Sequence, residues 1–308
     1  MPCYSPIQAW QGPANASGKR PLVFQRPKDF VMSISCPCGR CIGCRLEYAR
    51  QWAMRCRDES KMHSQNCFIT LTYSDEFLPR DSFVSKDTWQ LFMKRLRKVT
   101  GEGIRFFMCA EYGPKTFRPH YHALLFGYDF PDRKFLKVTG SGEKIFTSEI
   151  LSKVWGFGYA SVGDLTFGSA AYVARYAVKK VGSVTSDDHF LVPTTGELRP
   201  PEFRLMSRGS KKLGTGGIGR SFYEKYKSDM FPHDFRVVDG VKSIPPRYYG
   251  SIYELTDPVS FANIKLLRKK RGRKFVDGHD DNDLIRLGVK EVCKLADIKA
   301  LKREGDFS

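Results

Sequence analysis

The alternation of apolar and polar positions predicts a series of strands in the middle of the chain. "CFITLTY" (Cys67–Tyr73) alternates and is rich in β-branched and aromatic residues, as is typical of a strand. "IRFFMCAEYG" (Ile104–Gly113) and "HYHALLFG" (His120–Gly127) predict two more strands, joined by the turn-prone "GPKTFRP". The last two strands are therefore expected to form a hairpin.

Apolar residues at helical spacing predict the helices. One helix is expected from Arg45, and a second begins near Ser85, a good N-cap, with an apolar side that extends to Val99. "SEILSKVW" indicates another helix, "GYASVG" a short strand, and Ser169 is expected to cap a helix through "AAYVARYAVKKV". A last amphipathic helix is predicted near residues 283–304. Its inward positions are expected to be Ile285, Val289, Val292, Leu295 and Ile298.

The order of these elements favours an α+β fold. A helix after the first strand, followed by a hairpin, predicts an antiparallel sheet of about five strands with helices packed on one face. Residues 1 to about 35 are rich in Pro, Gly, Ser and Asn, and predict an irregular arm. Three parts are expected: an N-terminal arm with a cysteine cluster and a helix over residues 1–64, a core over 65–182, and a basic C-terminal region over 183–308.

The charge balance indicates a nucleic-acid partner. The chain has 51 Lys and Arg against 33 Asp and Glu, a formal net charge of +18. A polyphosphate partner explains such a surplus, whereas a solvated surface does not require it. "MPCYSPIQAW" lacks the pattern of a secretion signal, and no apolar run is long enough to cross a membrane. We therefore expect a reducing cytoplasm and no membrane partner.

Two histidines one residue apart are candidate metal ligands. Side chains at i and i+2 of a strand point to the same face, so His120 and His122 project together. Glu111 precedes the turn that leads into His120, and hairpin pairing brings its carboxylate beside the imidazoles. Such a set suits Mn²⁺ or Mg²⁺, and Zn²⁺ is also chemically allowed. Taken alone, the histidine pair favours the alternative, two surface imidazoles that happen to lie on one strand.

The last helix of the core carries candidate nucleophiles. Tyr172, Tyr176 and Lys179 stand at i, i+4 and i+7, which places them in one stripe, opposite an apolar side that packs on the sheet. A phenol, with a pKa near 10, becomes a useful nucleophile when a metal polarises a phosphodiester and a cation stabilises the phenolate. Lys179 or Arg175 would supply that cation. The alternative is a pair of tyrosines packed at the edge of the core.

The order "FITLTY", "RPHYHALLF", "YVARYAVKK" resembles motifs I, II and III of the HUH endonucleases, and most closely the rolling-circle replication initiators of Microviridae of the gokushovirus type. The resemblance implies an HUH, RRM-like palm fold in which His120 and His122 bind the metal and an acidic residue, matched by Glu111, completes the site. It also implies that Tyr172 and Tyr176 alternate in nicking and rejoining, with the order left open. Arg175 replaces the first lysine of that family's helix motif.

The same resemblance implies the partners and the place of action. These are single-stranded DNA at a viral origin, a host helicase and polymerase, and the cytoplasm of a bacterial host. Two rival interpretations stay open: a nucleic-acid-binding module without catalysis, and a relaxase or transposase of the same superfamily.

The cysteine cluster "CPCGRCIGCR" is a candidate structural zinc site and resembles the N-terminal part of the same phage family. Its spacing suits zinc, but four ligands within nine residues would be strained. The alternative is a set of reduced, partly buried cysteines. The cluster residues are Cys36, Cys38, Cys41 and Cys44, and Cys3, Cys56 or Cys67 would be a substitute for one of them.

Two basic segments, "SRGSKKLGTGGIGR" and "RKKRGRK", are expected to grip phosphates, the alternative being solvated loops. The glycine-rich stretch lacks the G-K-[ST] ending of a nucleotide-binding loop, so no ATPase is expected. The predicted DNA-binding residues are Arg118, Arg175, Lys180, Arg208, Lys211 and Lys212.

Overall fold

The computed structural model describes residues 3–13, 20–113, 116–140, 142–179, 191–192, 196–209, 215–238, 240–272, 275–276 and 279–300; the side chains of 167, 175–179, 275–276, 279–280 and 299–300 lie outside this description. The strands are β1 (Ile7–Gln11), β2 (Leu22–Val23), β3 (Met32–Cys36), β4 (Asn66–Tyr73), β5 (Arg105–Tyr112), β6 (Pro119–Phe126), β7 (Lys134–Val138), β8 (Lys144–Thr147), β9 (Gly158–Asp164), β10 (Phe203–Met206), β11 (Arg236–Val238), β12 (Val241–Ser243), β13 (Phe275–Val276) and β14 (His279–Asp280). The helices are α1 (Ile42–Ser60), α2 (Lys86–Thr100), α3 (Glu149–Trp155), α4 (Phe167–Lys179), α5 (Arg220–Met230), α6 (Arg247–Thr256), α7 (Pro258–Gly272) and α8 (Leu284–Ala300).

The central element is an antiparallel sheet of seven strands in the order β10-β5-β6-β4-β9-β8-β7. The predicted α+β class is confirmed, and the sheet is wider than the expected five or so strands. The β7–β8 hairpin lies between β6 and α3, where no strand was predicted, and β10 adds the opposite edge. All five residues of β7 are exposed. This edge strand therefore lacks the apolar alternation that marks a half-buried strand.

Helices cover both faces of this sheet, whereas the sequence predicted one covered face. Successive strand residues point to opposite faces, so Ile69 and Leu71 pack with residues of α2 and α3. Phe68 lies on the other face, in a cluster with Cys56 of α1 and Val173 of α4. The sheet is thus the middle layer of three.

The helix starts follow local capping. Ser85 caps α2 as predicted, since its Oγ accepts hydrogen bonds from the amides of Asp87 (3.2 Å) and Thr88 (3.4 Å). Val99, however, is 61% exposed, so the buried side of α2 ends one turn earlier. α4 begins before the predicted cap: Thr166 Oγ1 accepts from the Ser169 amide (3.0 Å), while the Thr166 amide donates to Ser169 Oγ (2.8 Å). This reciprocal pair places Ser169 inside the first turn.

The N-terminal segment is not an irregular arm. β1 pairs with both β2 and β3 in a small antiparallel sheet, with Ile7 opposite Cys36. Only Ala9 of β1 is buried, so the segment carries no apolar alternation that would have revealed the strands.

The chain divides into two compact units, one comprising residues 1–47 and 267–302 and the other built on residues 48–266. The boundaries predicted after residues 64 and 182 stay a prediction. In the first unit, α8 buries Leu287 against Tyr4 and Cys41, whereas Ile285 is 84% exposed. The predicted inward face is therefore wrong at four of its five residues. Ile298 is partly buried, but the other four are exposed, namely Ile285, Val289, Val292 and Leu295. The chain's N-terminal segment packs on Leu287 instead.

In the second unit, α5, α6 and α7 share a cluster of buried aromatic and aliphatic residues beyond the sheet. The cluster contains Phe222, Tyr223, Met230, Phe231, Tyr249, Ile252, Phe261 and Ile264.

Among the described residues, no helix is both long enough and apolar enough to span a lipid bilayer.

Candidate active site on the central sheet

The two histidines of β6 lie between strands that supply their partners. His120 is opposite Glu111 of β5 and Thr72 of β4. His122 is opposite Thr70 on β4. Directly opposed residues share a face of the sheet. The pairing therefore gathers two imidazoles, a carboxylate and two hydroxyls on one face, as the hairpin prediction required for Glu111.

Each histidine is held at Nδ1 by a threonine. Thr72 Oγ1 lies 2.9 Å from His120 Nδ1, and Thr70 Oγ1 lies 3.0 Å from His122 Nδ1. When Nδ1–H donates to the hydroxyl oxygen, the lone pair is on Nε2. Such partners fix the ring orientation and tautomer of metal-binding histidines.

Glu111 and His122 are in direct contact inside the protein. Glu111 Oε1 lies 2.9 Å from His122 Nε2, and both side chains are buried. A carboxylate oxygen and an imidazole nitrogen at this distance need a proton or a cation between them. Neighbouring ligands about 2.1 Å from an octahedral ion lie about 3 Å apart, so the spacing also fits two metal ligands.

Two further observations bear on whether these residues could hold a cation. Glu111 Oε2 is buried with no hydrogen-bond partner among the described residues, which leaves an acceptor for a cation. The ligand atoms of the three side chains do not all lie within 4.8 Å of one another. Since Glu111 and His122 touch, the more distant ligand is His120.

His120 is a neutral imidazole at physiological pH. Burial, reinforced by the charges of His122 and Arg118, lowers the pKa of His120 to about 4. A neutral ring keeps a lone pair available for a metal. Its Nε2 also approaches Gly113 so closely that a Cβ at that position would lie 2.9 Å away.

α4 places a tyrosine against this group. Ala170, Val173 and Ala174 are fully buried, so the predicted apolar side packs on the sheet. Tyr172 is only 8% exposed, and its ring meets that of His122 edge-on at 5.4 Å between centroids. Tyr172 is therefore buried, because its ring covers the histidine.

The rest of the predicted stripe continues along α4. Tyr176 follows Tyr172 by one turn and Lys179 by two, within the backbone of the helix. The side chains of these two residues and of Arg175 lie outside the described part of the chain.

The predicted DNA-binding residues are placed unevenly. The Arg118 guanidinium is engaged within the protein. It donates to the Tyr73 carbonyl (2.7 Å) and pairs with the Asp75 carboxylate. Arg208 follows β10 and is exposed. The other predicted contacts, Lys180, Lys211 and Lys212, lie outside the described residues.

Sequence reasoning missed two features of this face. Thr70 and Thr72 were expected mainly as strand positions, and only the register between β4 and β6 reveals their contact with the histidines. Tyr159 of β9 is opposite Thr72 and is 71% exposed. It therefore adds an accessible aromatic ring on the same face, beside Thr72.

The cysteines that lie close together differ by one residue from the four predicted first. Sulfur atoms of Cys3, Cys38, Cys41 and Cys44 all lie within 4.8 Å of one another, an arrangement that could hold a metal ion. Cys36 is not in the set, because pairing with Ile7 fixes it in β3. The same pairing brings the start of the chain to the loop after β3, so Cys3 takes the fourth place.

The fold and this face define a class of protein: an α+β sheet protein with a histidine pair on a central strand and a tyrosine-bearing helix above it. Comparison with known proteins gives the family. A family model for replication-associated protein ORF2/G2P matches residues 66–181, which include β4, β6 and α4.

Three phage proteins are similar over most of the chain. Replication-associated protein VP4 of Bdellovibrio phage phiMH2K is 34% identical over 283 residues, covering 88% of this chain and 84% of that protein. Replication-associated protein ORF2 of Spiroplasma virus 4 is 32% identical, covering 73% and 70%. Replication-associated protein ORF4 of Chlamydia phage 1 is 28% identical, covering 74% and 55%. The chain belongs to this family of phage replication-associated proteins. No solved structure matches it.

Proposed function

We propose that this protein initiates rolling-circle replication by nicking single-stranded DNA at a viral origin through a tyrosine. The observation that carries the proposal is Tyr172 packed edge-on against His122, which in turn contacts Glu111. This places a phenol-bearing helix over a candidate metal site in a member of a phage replication family. The adduct would be a 5′-phosphotyrosine with a free 3′-OH.

The chemistry of this donor set suits a divalent cation. Nε2 of His120 and His122 and a carboxylate oxygen of Glu111 would hold Mn²⁺ or Mg²⁺, with coordination positions left for a phosphate. The unpartnered Oε2 of Glu111 among the described residues supports this assignment. When bound, the ion would polarise the scissile phosphate and stabilise negative charge in the transition state.

The chemistry of the protein's own groups is a transesterification. A phenolic oxygen of Tyr172 or Tyr176 attacks phosphorus, and the bond from phosphorus to the 3′ oxygen breaks. The phenolic proton goes to solvent, and the 3′ oxygen takes up a proton to become the 3′-OH. Lys179 or Arg175 would stabilise the phenolate as it forms. Because the phosphodiester bond energy is retained, the reverse reaction rejoins the strand without ATP.

Two tyrosines allow two successive transfers. One forms the first adduct, and the other accepts the strand after a round of synthesis, so that a circle is released. We assign this work to the proposed catalytic core, residues 65–182, with the arm 1–64 and the basic region 183–308 as extensions. A host helicase and polymerase would extend the 3′-OH in the bacterial cytoplasm.

The surface beside the histidines offers a path for the DNA. Tyr159 presents an exposed ring on which an unpaired base would stack, close to Thr72 and His120. Arg208 and the basic segments around it would contact phosphates. Arg118 is assigned a positioning role instead, since its guanidinium is engaged by Tyr73 and Asp75.

The test is cleavage of a single-stranded origin oligonucleotide by the full chain with Mn²⁺. His120→Ala should abolish cleavage and leave oligonucleotide binding nearly intact, because the proposed ligand serves chemistry rather than affinity. Equal loss of binding and cleavage would instead make the histidine pair structural. Cleavage that persists fully in a chelator would refute the metal site.

A further inference from the structure

We propose that Cys3, Cys38, Cys41 and Cys44 bind one zinc ion as four thiolates. This site lies in the unit formed by residues 1–47 and 267–302, and the proposed nicking reaction does not use it. Cys3 precedes β1, Cys38 and Cys41 lie in the loop after β3, and Cys44 is in the first turn of α1. The four ligands therefore come from three separate local structures.

The distances between sulfur atoms suit a single tetrahedral ion. Zinc–sulfur bonds of about 2.3 Å in a tetrahedron place the sulfur atoms about 3.8 Å apart. Cys41 Sγ and Cys3 Sγ are 3.9 Å apart, and the four sulfur atoms all lie within 4.8 Å of one another. The separation is far beyond a disulfide bond of about 2.0 Å, and all four cysteines are free.

Backbone amides point at these sulfur atoms. The Cys38 amide donates to Cys3 Sγ (3.2 Å), and the Arg40 and Cys41 amides donate to Cys38 Sγ (3.4 and 3.3 Å). Cys41 Sγ accepts from the amides of Tyr4 (3.3 Å) and Cys44 (3.4 Å). A neutral thiol is a weak acceptor, whereas a thiolate gains from several such donors. Four neighbouring thiolates require a cation, and zinc is the ion that this donor set favours.

The ion would lie beside the contact between the N-terminal segment and α8 within this unit. Cys41 and Tyr4 pack with Leu287 of α8, and the Ile42 amide at the start of α1 donates to Glu291 Oε1 of α8 (3.3 Å). The small sheet β1–β3 has few buried residues of its own. A metal site supplies folding free energy where a core is small.

The first experiment is metal analysis of the full chain purified under reducing conditions. We expect about one zinc per chain. Cys3→Ser should remove most of it, since three ligands remain, whereas Cys36→Ser is the matched control and should keep it. Loss of zinc in Cys36→Ser with retention in Cys3→Ser would overturn the ligand set. Stoichiometric iron, or no metal in the wild type, would overturn the zinc assignment.

A second measurement does not depend on variants that fold. Cobalt substituted into the wild-type chain should give the absorption of a tetrahedral tetrathiolate complex, and zinc should displace it. An octahedral cobalt spectrum, or a Cys3–Cys41 disulfide in peptides mapped without reduction, would contradict the site. His120→Ala should keep its zinc, so failure of the zinc proposal and failure of the nicking proposal are separable.

Discussion

At the scale of residues, the position of His120 depends on a neighbour without a side chain. A Cβ at residue 113 would lie 2.9 Å from His120 Nε2, so Gly113→Ala must displace the imidazole. Since misplacing a catalytic group by about 1 Å costs up to about 100-fold in rate, we expect a 10- to 100-fold slower cleavage. Gly140→Ala is the control, because no atom lies within 4 Å of the added Cβ. Equal rates for the two variants would show that His120 needs no fixed position.

Tyr159 is predicted to bind DNA through its ring and not through its hydroxyl. Stacking of a base on an aromatic side chain contributes about 1–3 kcal/mol. Tyr159→Ala should therefore weaken binding of a single-stranded origin oligonucleotide by about 10- to 100-fold, while Tyr159→Phe should retain it. Fluorescence anisotropy measures both. Loss in the phenylalanine variant would assign the effect to the hydroxyl.

Some residues of the site could be predicted from the sequence, and others could not. The i, i+2 rule and the hairpin were enough to bring His120, His122 and Glu111 together. Thr70 and Thr72 were not predicted to contact the histidines, because these contacts depend on the pairing of β4 with β6. The contacts join residues 52 and 48 positions apart in the chain. Cys3 was only one of three alternatives, since its place depends on the β1–β3 pairing.

At the scale of elements, a buried ion pair joins α1 to β5 and to the turn before α5. Arg105 Nε lies 2.7 Å from Glu59 Oε1, and the Gly219 amide donates to Glu59 Oε2 (2.6 Å). Burial alone would raise the pKa of Glu59. The hydrogen bonds from His63 and Gly219, with the charge of Arg105, outweigh burial and hold that pKa below its usual value.

The stability contribution of Glu59 should therefore depend on pH. Its lowered pKa means that the contribution is complete above the unfolded-state pKa of about 4.3 and is lost as the pH falls through the native pKa. At pH 7, Glu59→Gln should cost about 3 kcal/mol, because it leaves the buried Arg105 without a charged partner. The cost should shrink below pH 4.3. Urea unfolding across this range measures it, with the exposed Glu102→Gln as control. A cost independent of pH would exclude the ionised pair as its source.

The elements predicted correctly are those with a strong apolar period and a cap. A large core buries one or both faces of β4, β5, β6 and α2. Their apolar residues therefore recur at a period that predicts each element. The β7–β8 hairpin and the strands β1–β3 bury little, so their sequences carry no apolar alternation that would predict strands. For α8 the period was correct but the buried face was not, because the period does not specify which surface the helix packs against.

At the scale of the whole molecule, the net charge of +18 predicts binding that depends strongly on salt. For single strands, the logarithm of the binding constant falls against the logarithm of salt concentration by about 0.7 per phosphate contact. Arg208→Ala should therefore reduce the slope by about 0.7. Lys98→Ala, an exposed change on α2 at the face away from the histidines, should leave it unchanged. Equal slopes for the wild type and Arg208→Ala would remove this residue from the interface.

The measurement that tests the central claim most directly is the covalent adduct with DNA. The full chain, Mn²⁺ and a single-stranded origin oligonucleotide should give a protein–DNA species that resists denaturation, with the phosphate mapped by mass spectrometry to Tyr172 or Tyr176. The double variant Tyr172→Phe, Tyr176→Phe should form none while still binding the oligonucleotide. An adduct or a nick that persists in this variant would contradict the tyrosine mechanism.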